Sequence, residues 1–290
     1  MSYVKSPLNY TGGKFKLLPK IIPHVPSGTK VFLDLFSGGG TVGANMVGIS
    51  DIVILNEILT PVTDFYNGVK NTGIEKGLEN IYSTIDSYGL SKTNKDGFLA
   101  IRDAYNSGDK DWVTFYAMLM HSFNYQIRFN SKGEYNMPFG KDRSSFNKNT
   151  EKNFREFGEK LVDGSLHVMN KNFKDIDYSL FTSGFFVYAD PPYLITTASY
   201  NENGGWDEKD EHDLLQLLDT LDAQGCKWML SNVLEHKGKT NEILSSWAEN
   251  YHVTDLNYDY KNSSYQGKNT DKLTREVIIT NYLLDCEEGL

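Results

Sequence analysis

The residues best suited to chemistry in this sequence are Asp190-Pro191-Pro192-Tyr193, which combine a carboxylate, two residues without N–H groups and an aromatic ring. Asp190 and a backbone carbonyl can accept hydrogen bonds from an amine while Tyr193 stacks on the ring that bears it. Such a group grips a flat, amine-bearing heterocycle of the nucleobase kind. The tetrapeptide follows the apolar run Phe185-Phe186-Val187-Tyr188-Ala189, which reads as a buried strand of a parallel sheet. Ligands of open α/β sheets bind where such strands end. The plainer reading is a proline-stiffened turn that closes a strand, so the choice rests on the rest of the chain.

A second candidate site lies near the N-terminus. Val31 to Phe36 is a short apolar run ending in Ser37-Gly38-Gly39-Gly40, followed by a helix-like stretch to about Val47. A further strand, Ile52 to Leu55, ends in Asn56-Glu57, which puts an acid about twenty residues beyond the glycines, where nucleotide-type folds meet a ribose hydroxyl. Glycine loops of this kind serve nicotinamide, flavin and S-adenosylmethionine proteins alike. The spacing here misses the Gly-x-Gly-x-x-Gly of dinucleotide binders, which lowers the nicotinamide reading. A methionine-bearing cofactor carries an ammonium and a carboxylate instead of a pyrophosphate, and Lys14 and Asp190 have the charges to meet them.

These residues need a scaffold. The strand signals at 31–36, 52–55, 165–169, 185–189, 227–231, 251–256 and 276–281 alternate with helices at about 207–223 and 242–249, an α/β pattern. Between Thr60 and Glu159 strand signals almost vanish, and helical stretches such as Gly97 to Tyr105 and Asp111 to Gln126 take over. The organisation expected is a core domain from 1–59 and 160–290, interrupted by a helical insertion at 60–159.

The 290 residues carry a net charge of −9, which argues at first against a nucleic-acid partner. The distribution reverses that. Residues 1–30 hold five lysines and no acid, and residues 121–155 hold seven bases against three acids, whereas residues 202–222 hold eight acids and one lysine. Two basic segments meeting on one face can bind DNA despite an acidic back. Cys226 and Cys286 read as buried thiols of a reducing compartment, and no run is apolar enough to cross a bilayer, so a cytoplasmic protein is expected. The six histidines lack metal-ligand spacing, and Glu211-His212-Asp213 reads as a solvated helix face. No metal is implied.

Taken in order along the chain, these segments resemble the N6-adenine DNA methyltransferases of the Dam type (D12 class, alpha group). Asn9-Tyr10-Thr11-Gly12-Gly13-Lys14 is similar to the family's Trp-Ala-Gly-Gly-Lys segment, with Tyr10 in place of tryptophan. Asp34 to Gly40 matches its glycine loop, Glu57 its ribose acid and Asp190 to Tyr193 its catalytic tetrapeptide. Asn124 to Asn130, followed by Gly133 to Gly140, is similar to its DNA-reading hairpin. The resemblance implies a Rossmann-like, mostly parallel sheet of about seven strands with a mainly helical DNA-recognition insertion. It implies methyl transfer from S-adenosylmethionine to N6 of a flipped-out adenine in double-stranded DNA. The implied catalytic group is Asp190, Pro191, Pro192 and Tyr193. The implied cofactor site is Tyr10, Lys14, Asp34, Phe36, Gly38, Gly40, Glu57, Asn172, Phe173 and Asp190.

For DNA the implied residues are Asn9, Phe123, Asn124, Arg128, Asn130, Lys132, Pro138, Lys141 and Arg143. Arg128 would read a base edge, Phe123 would fill the gap left by the flipped base, and the lysines, with Arg143, would hold phosphates. Three departures stand out: Asn9 replaces a base-contacting lysine, Asp142 a tyrosine, and Asn172 the acid of an Asp-Phe pair. The first two point away from GATC, and a short adenine-containing site is expected. A monomer is expected, with a restriction endonuclease of the same site as a possible companion. Cytosine-N4 enzymes carry Ser in place of Asp190, and a nicotinamide-dependent oxidoreductase would leave the proline pair and the hairpin unexplained.

Overall fold

Strands buried on both faces need unbroken apolar runs, and the two such runs next to the glycine loop and the Asp-Pro-Pro-Tyr segment lie side by side at the centre of one sheet. The structure, a computed structural model, describes residues 2–196, 205–256 and 274–284. The strands are β1 (Val31–Asp34), β2 (Ile52–Asn56), β3 (Leu166–Met169), β4 (Phe185–Ala189), β5 (Lys227–His236), β6 (Lys239–Thr240), β7 (His252–Asp255) and β8 (Thr274–Thr280). They run in the order β3-β2-β1-β4-β5-β8-β7, with β6 paired to β5. The pairs from β3 to β5 are parallel, and β8 lies antiparallel between β5 and β7. The expected mostly parallel sheet of about seven strands is therefore present. The edge β3 (Leu-His-Val-Met) buries only Leu166, and the edge β7 (His-Val-Thr-Asp) has no fully buried residue.

The described helices are α1 (Leu18–Ile21), α2 (Thr41–Ala44), α3 (Thr60–Thr72), α4 (Ile74–Ser87), α5 (Lys95–Asn106), α6 (Trp112–Leu119), α7 (Lys148–Leu161), α8 (Glu208–Ala223) and α9 (Glu242–Ala248). Period-two alternation sends Phe32, Val53, Phe186 and Tyr188 to one face of the sheet and Leu33, Val187, Trp228 and Leu230 to the other. The first face shares its core with α3, α4, α6 and α7 through Phe65, Tyr66, Leu78, Tyr116, Phe154 and Phe157. The second is covered by α8 and α9 through Leu214, Leu218, Leu221 and Leu244. The helices of the 60–159 segment are thus built onto the sheet, with a continuous apolar core.

Three expectations change. The helix read from Asp111 to Gln126 stops at Leu119, although no glycine or proline marks the stop. Beyond it the backbone N–H of Phe123 donates to Pro138 and that of Gly140 to His121, so pairing with residues 138–140 replaces the helical ladder. The helix after the glycine loop is a single turn. Glu211, read as part of a solvated face, is fully buried, while His212 beside it is exposed. Cys226 is buried as expected, and Cys286 lies outside the described residues.

Candidate active site

Parallel register sets Asp34 opposite Tyr188, so the carboxyl ends of β1 and β4 open side by side. Strand order reverses between them, and crevices at such switch points take ligands. A cavity of about 430 Å3 lies there, bordered by the glycine loop, by residues 10–14 and by Asp190 to Tyr193.

At one end the charges form a closed group. The Lys14 ammonium, 5% exposed, sits 2.8 Å from Asp190 Oδ2 and donates to the Tyr193 hydroxyl at 2.8 Å and to the Gly12 carbonyl at 2.9 Å. The Tyr193 hydroxyl in turn donates to Asp190 Oδ1 at 2.8 Å. Glu276 on β8 lies 3.6 Å from Lys14 and 3.4 Å from the Tyr193 hydroxyl. Burial, with the Asp190 and Glu276 carboxylates beside it, raises the Tyr193 phenol well above its ordinary range. Lys14, read from the sequence as a cofactor residue, is therefore committed to the carboxylate of the tetrapeptide. Pro191 and Pro192 line the same cavity.

The other end is built by the first two strands. Glu57, at the end of β2, accepts the Gly38 N–H at 2.9 Å and the Leu59 N–H at 2.8 Å. Its carboxyl is raised by burial, against the lowering effect of these donors and of the Tyr10 hydroxyl. The Tyr10 ring lies across the loop, 3.0 Å from where a Cβ on Gly38 would stand. Asp34 accepts the Gly43 N–H at 2.9 Å. Burial pushes its carboxyl up to about 8, opposed by the Gly43 donor and reinforced by the negative charges of Asp190 and Glu57. Asn172 borders the cavity while its side chain accepts the Lys174 N–H, and Phe36, Phe173 and Trp206 are mutually packed aromatic walls with centroids 5.4–5.7 Å apart.

Gly40 does not belong to this group. Its φ is +72°, and a Cβ there would meet the Tyr66 hydroxyl at 2.9 Å and Phe157 at 3.0 Å, in the packing beneath the loop and away from the cavity. Gly39, named in the glycine loop but not among the cofactor residues, borders the cavity in its place, as do Trp206 and Asp210, which the sequence did not single out. The donor set fits S-adenosylmethionine. Glu57 offers acceptors for ribose hydroxyls, the Asp34 carboxyl borders the cavity as an acceptor for an amino-acid end, and three aromatic rings suit a flat base.

The residues expected to meet DNA divide into two groups. Asn9, Phe123, Asn124 and Arg143 come together: Asn9 Nδ2 donates to the Asn124 carbonyl at 2.7 Å, and Arg143 lies 4.8 Å over the Phe123 ring and 3.5 Å from Asn124 Oδ1. Asn124 and Tyr125 have φ of +54° and +56°, a sharp left-handed knuckle. Arg128 and Asn130 belong instead to a hairpin. Arg128 donates to Asn136 Oδ1 at 2.8 Å and to the Asn136 carbonyl at 3.1 Å, and Asn130 ties the turn through the N–H groups of Lys132 and Glu134. Lys132, Pro138 and Lys141 are exposed. Among the described residues no His, Cys, Asp and Glu cluster suits a metal ion, and no helix is long and apolar enough to cross a membrane.

A family model described as D12 class N6 adenine-specific DNA methyltransferase matches residues 10–260. The chain is 42% identical over 286 residues to "Modification methylase StsI" of Streptococcus sanguinis, and 42% identical over 285 residues to "Type II methyltransferase M.FokI" of Planomicrobium okeanokoites. Each alignment covers 97% of this chain and 43% of the relative, so the chain spans less than half of their length. It is also 26% identical over 233 residues to "DNA adenine methylase" of Vibrio cholerae, covering 78% of this chain and 80% of that protein. With a family match over most of its length and relatives of this identity, the chain belongs to the D12 class of N6 adenine-specific DNA methyltransferases.

Proposed function

We propose that this chain transfers a methyl group from S-adenosylmethionine to N6 of an adenine flipped out of double-stranded DNA. The observation that carries the reading is the Lys14–Asp190–Tyr193 group at the mouth of a cavity whose far end holds Glu57 and the glycine loop. When bound, the cofactor supplies a sulfonium-activated methyl group. The residues of the chain supply position and charge. The adenine amine is a weak nucleophile because its lone pair is delocalised into the ring. Asp190 and the Pro191 carbonyl each accept one N–H, which turns the lone pair toward the methyl group. Each Asp190 oxygen already accepts one hydrogen bond, from Lys14 or from Tyr193, and keeps a second lone pair for the amine, while Glu276 gives the Tyr193 hydroxyl an alternative acceptor. The Tyr193 ring stacks on the base, a contact worth about 1–3 kcal/mol. Lys14 balances the Asp190 charge, and no covalent enzyme intermediate is needed.

In this reading Tyr10, Asp34, Phe36, Gly38, Glu57, Asn172 and Phe173 hold the cofactor. Residues 60–159 form the recognition part on the catalytic frame of 1–59 and 160–290. The Asn9–Phe123–Asn124–Arg143 group and the Arg128 hairpin face DNA, with Lys132 and Lys141 on phosphates. The names "Modification methylase StsI" and "Type II methyltransferase M.FokI" support a modification enzyme. In this reading it acts in the cytoplasm as a monomer beside a restriction endonuclease of the same site. The test is expression in a host lacking DNA methylation, with mass spectrometry of the nucleosides and single-molecule sequencing of the site. N6-methyladenine at one short motif is expected, and Asp190→Ala should bind S-adenosylhomocysteine normally yet methylate at less than a hundredth of the wild-type rate. N4-methylcytosine, or near-normal transfer by the variant, would overturn the reading.

A further inference from the structure

A fully buried carboxylate is costly unless donors surround it. Glu211, in the first turn of α8, is 0% exposed, and three neutral N–H donors converge on it. Its Oε2 accepts the Trp206 indole N–H at 2.5 Å. Its Oε1 accepts from Asn241 at 2.8 Å and Asn232 at 3.4 Å. Asn241 caps α9, accepting the Leu244 N–H, and Asn232 lies on β5, also 0% exposed. Two rigid elements thus fix the carboxylate, and the carboxylate fixes one indole. An indole has a single N–H, so a short charge-assisted hydrogen bond there sets the plane of the whole ring.

That ring is a wall of the cavity, edge-on to Phe36 at 5.6 Å and tilted against Phe173 at 5.7 Å. We propose that Glu211 is a positioning residue for ligand binding: it holds Trp206 as the third wall of an aromatic box, with Phe36 and Phe173, that takes the flat heterocycle of the S-adenosyl ligand. This rests on the reading that the cavity is the S-adenosyl site. A carboxylate is needed rather than an amide because all three partners donate, and Gln at 211 would turn an NH2 group toward another donor.

The test is calorimetric titration with S-adenosylhomocysteine on the folded full chain, comparing wild type with Trp206→Ala, Trp206→Phe, Glu211→Gln and the Phe/Gln double variant. Removing the ring should weaken binding about tenfold, the scale of a base–aromatic contact. Trp206→Phe and Glu211→Gln should each weaken it several-fold, with KM for S-adenosylmethionine raised and kcat kept. Because Trp206→Phe lacks the N–H, adding Glu211→Gln to it should change affinity by less than about twofold. Multiplying effects, or a Glu211→Gln that binds like wild type, would overturn the proposal. Should Glu211→Gln not fold, a Trp206→Phe that binds like wild type overturns it equally. The indole N–H resonance of Trp206, identified by its loss in Trp206→Phe, should move upfield in Glu211→Gln. If wild type fails to bind S-adenosylhomocysteine while Glu211→Gln still shows the shift, the cavity reading fails and the Glu211–Trp206 contact stands; an unmoved resonance overturns the contact.

Discussion

Asp34→Asn should remove most of a pH-dependent loss of stability. In the unfolded chain this carboxyl titrates near 3.8, and in the folded protein burial pushes it up to about 8. Between these values the folded state binds the proton more tightly than the unfolded state, so stability falls as pH rises through the window. One unit of difference is worth about 1.4 kcal/mol, and integrating over pH 5 to 9 gives a loss on the order of 4 kcal/mol from this group alone. Asparagine matches the protonated carboxyl in shape and keeps an oxygen for the Gly43 N–H, which Asp34 accepts at 2.9 Å. The variant should therefore equal wild type within about 1 kcal/mol at pH 5 and exceed it by several kcal/mol at pH 9. Urea unfolding followed by tryptophan fluorescence at pH 5, 7 and 9 measures this. Glu57 is also raised by burial and titrates in both proteins, and because its charge repels the Asp34 carboxylate its own loss is smaller in the variant, which adds to the difference in the same direction. Parallel profiles for the two proteins would refute the reasoning, since they would mean that Asp34 carries its charge in the folded state without cost.

Gly40→Ala should cost about 2–4 kcal/mol, from a left-handed φ and overpacking against Tyr66 and Phe157, while the affinity of the folded fraction for S-adenosylhomocysteine stays unchanged. A thermal melt and a titration decide it, and an affinity loss without a melting change would return Gly40 to the ligand site. Asn9→Ala should speed amide exchange of residues 122–126 about fivefold in the DNA-free protein, the equivalent of one hydrogen bond of roughly 1 kcal/mol. Unchanged exchange would mean that Asn9 does not brace the knuckle.

What the sequence made legible is local. The runs 31–36 and 185–189 are apolar because both faces of their strands are covered, and the turn residues after them mark the strand ends where the cavity opens. Glu57 was found by its distance from the glycines. What escaped depends on tertiary contacts. Three consecutive glycines look alike in sequence, yet only the packing of Tyr66 and Phe157 shows that Gly40 turns inward. Glu211 sits among acids and reads as solvated, since its three donors come from positions 206, 232 and 241. The end of α6 at Leu119 follows from pairing with residues 138–140, which no helix signal reports.

The segment Asn9 to Lys14 shows why a motif can be found correctly and still be given too narrow a role. Residues 10 and 14 suggest a cofactor contact, and both border the cavity. The two glycines between them do something else: Gly12 takes φ +81° and the Gly13 N–H returns to the Tyr10 carbonyl, so the chain reverses within four residues. That reversal lets Tyr10 lie on the glycine loop while Lys14 reaches Asp190, 176 positions away in sequence. Asn9, one residue before the turn, is bonded to the Asn124 knuckle. Extended chain covers at most about 3.6 Å per residue, so six residues leave little slack between these three attachments. The segment is therefore a strut that sets the spacing between the knuckle, the glycine loop and the Asp190 carboxylate, and its glycines are required by the turn that makes the three reachable at once.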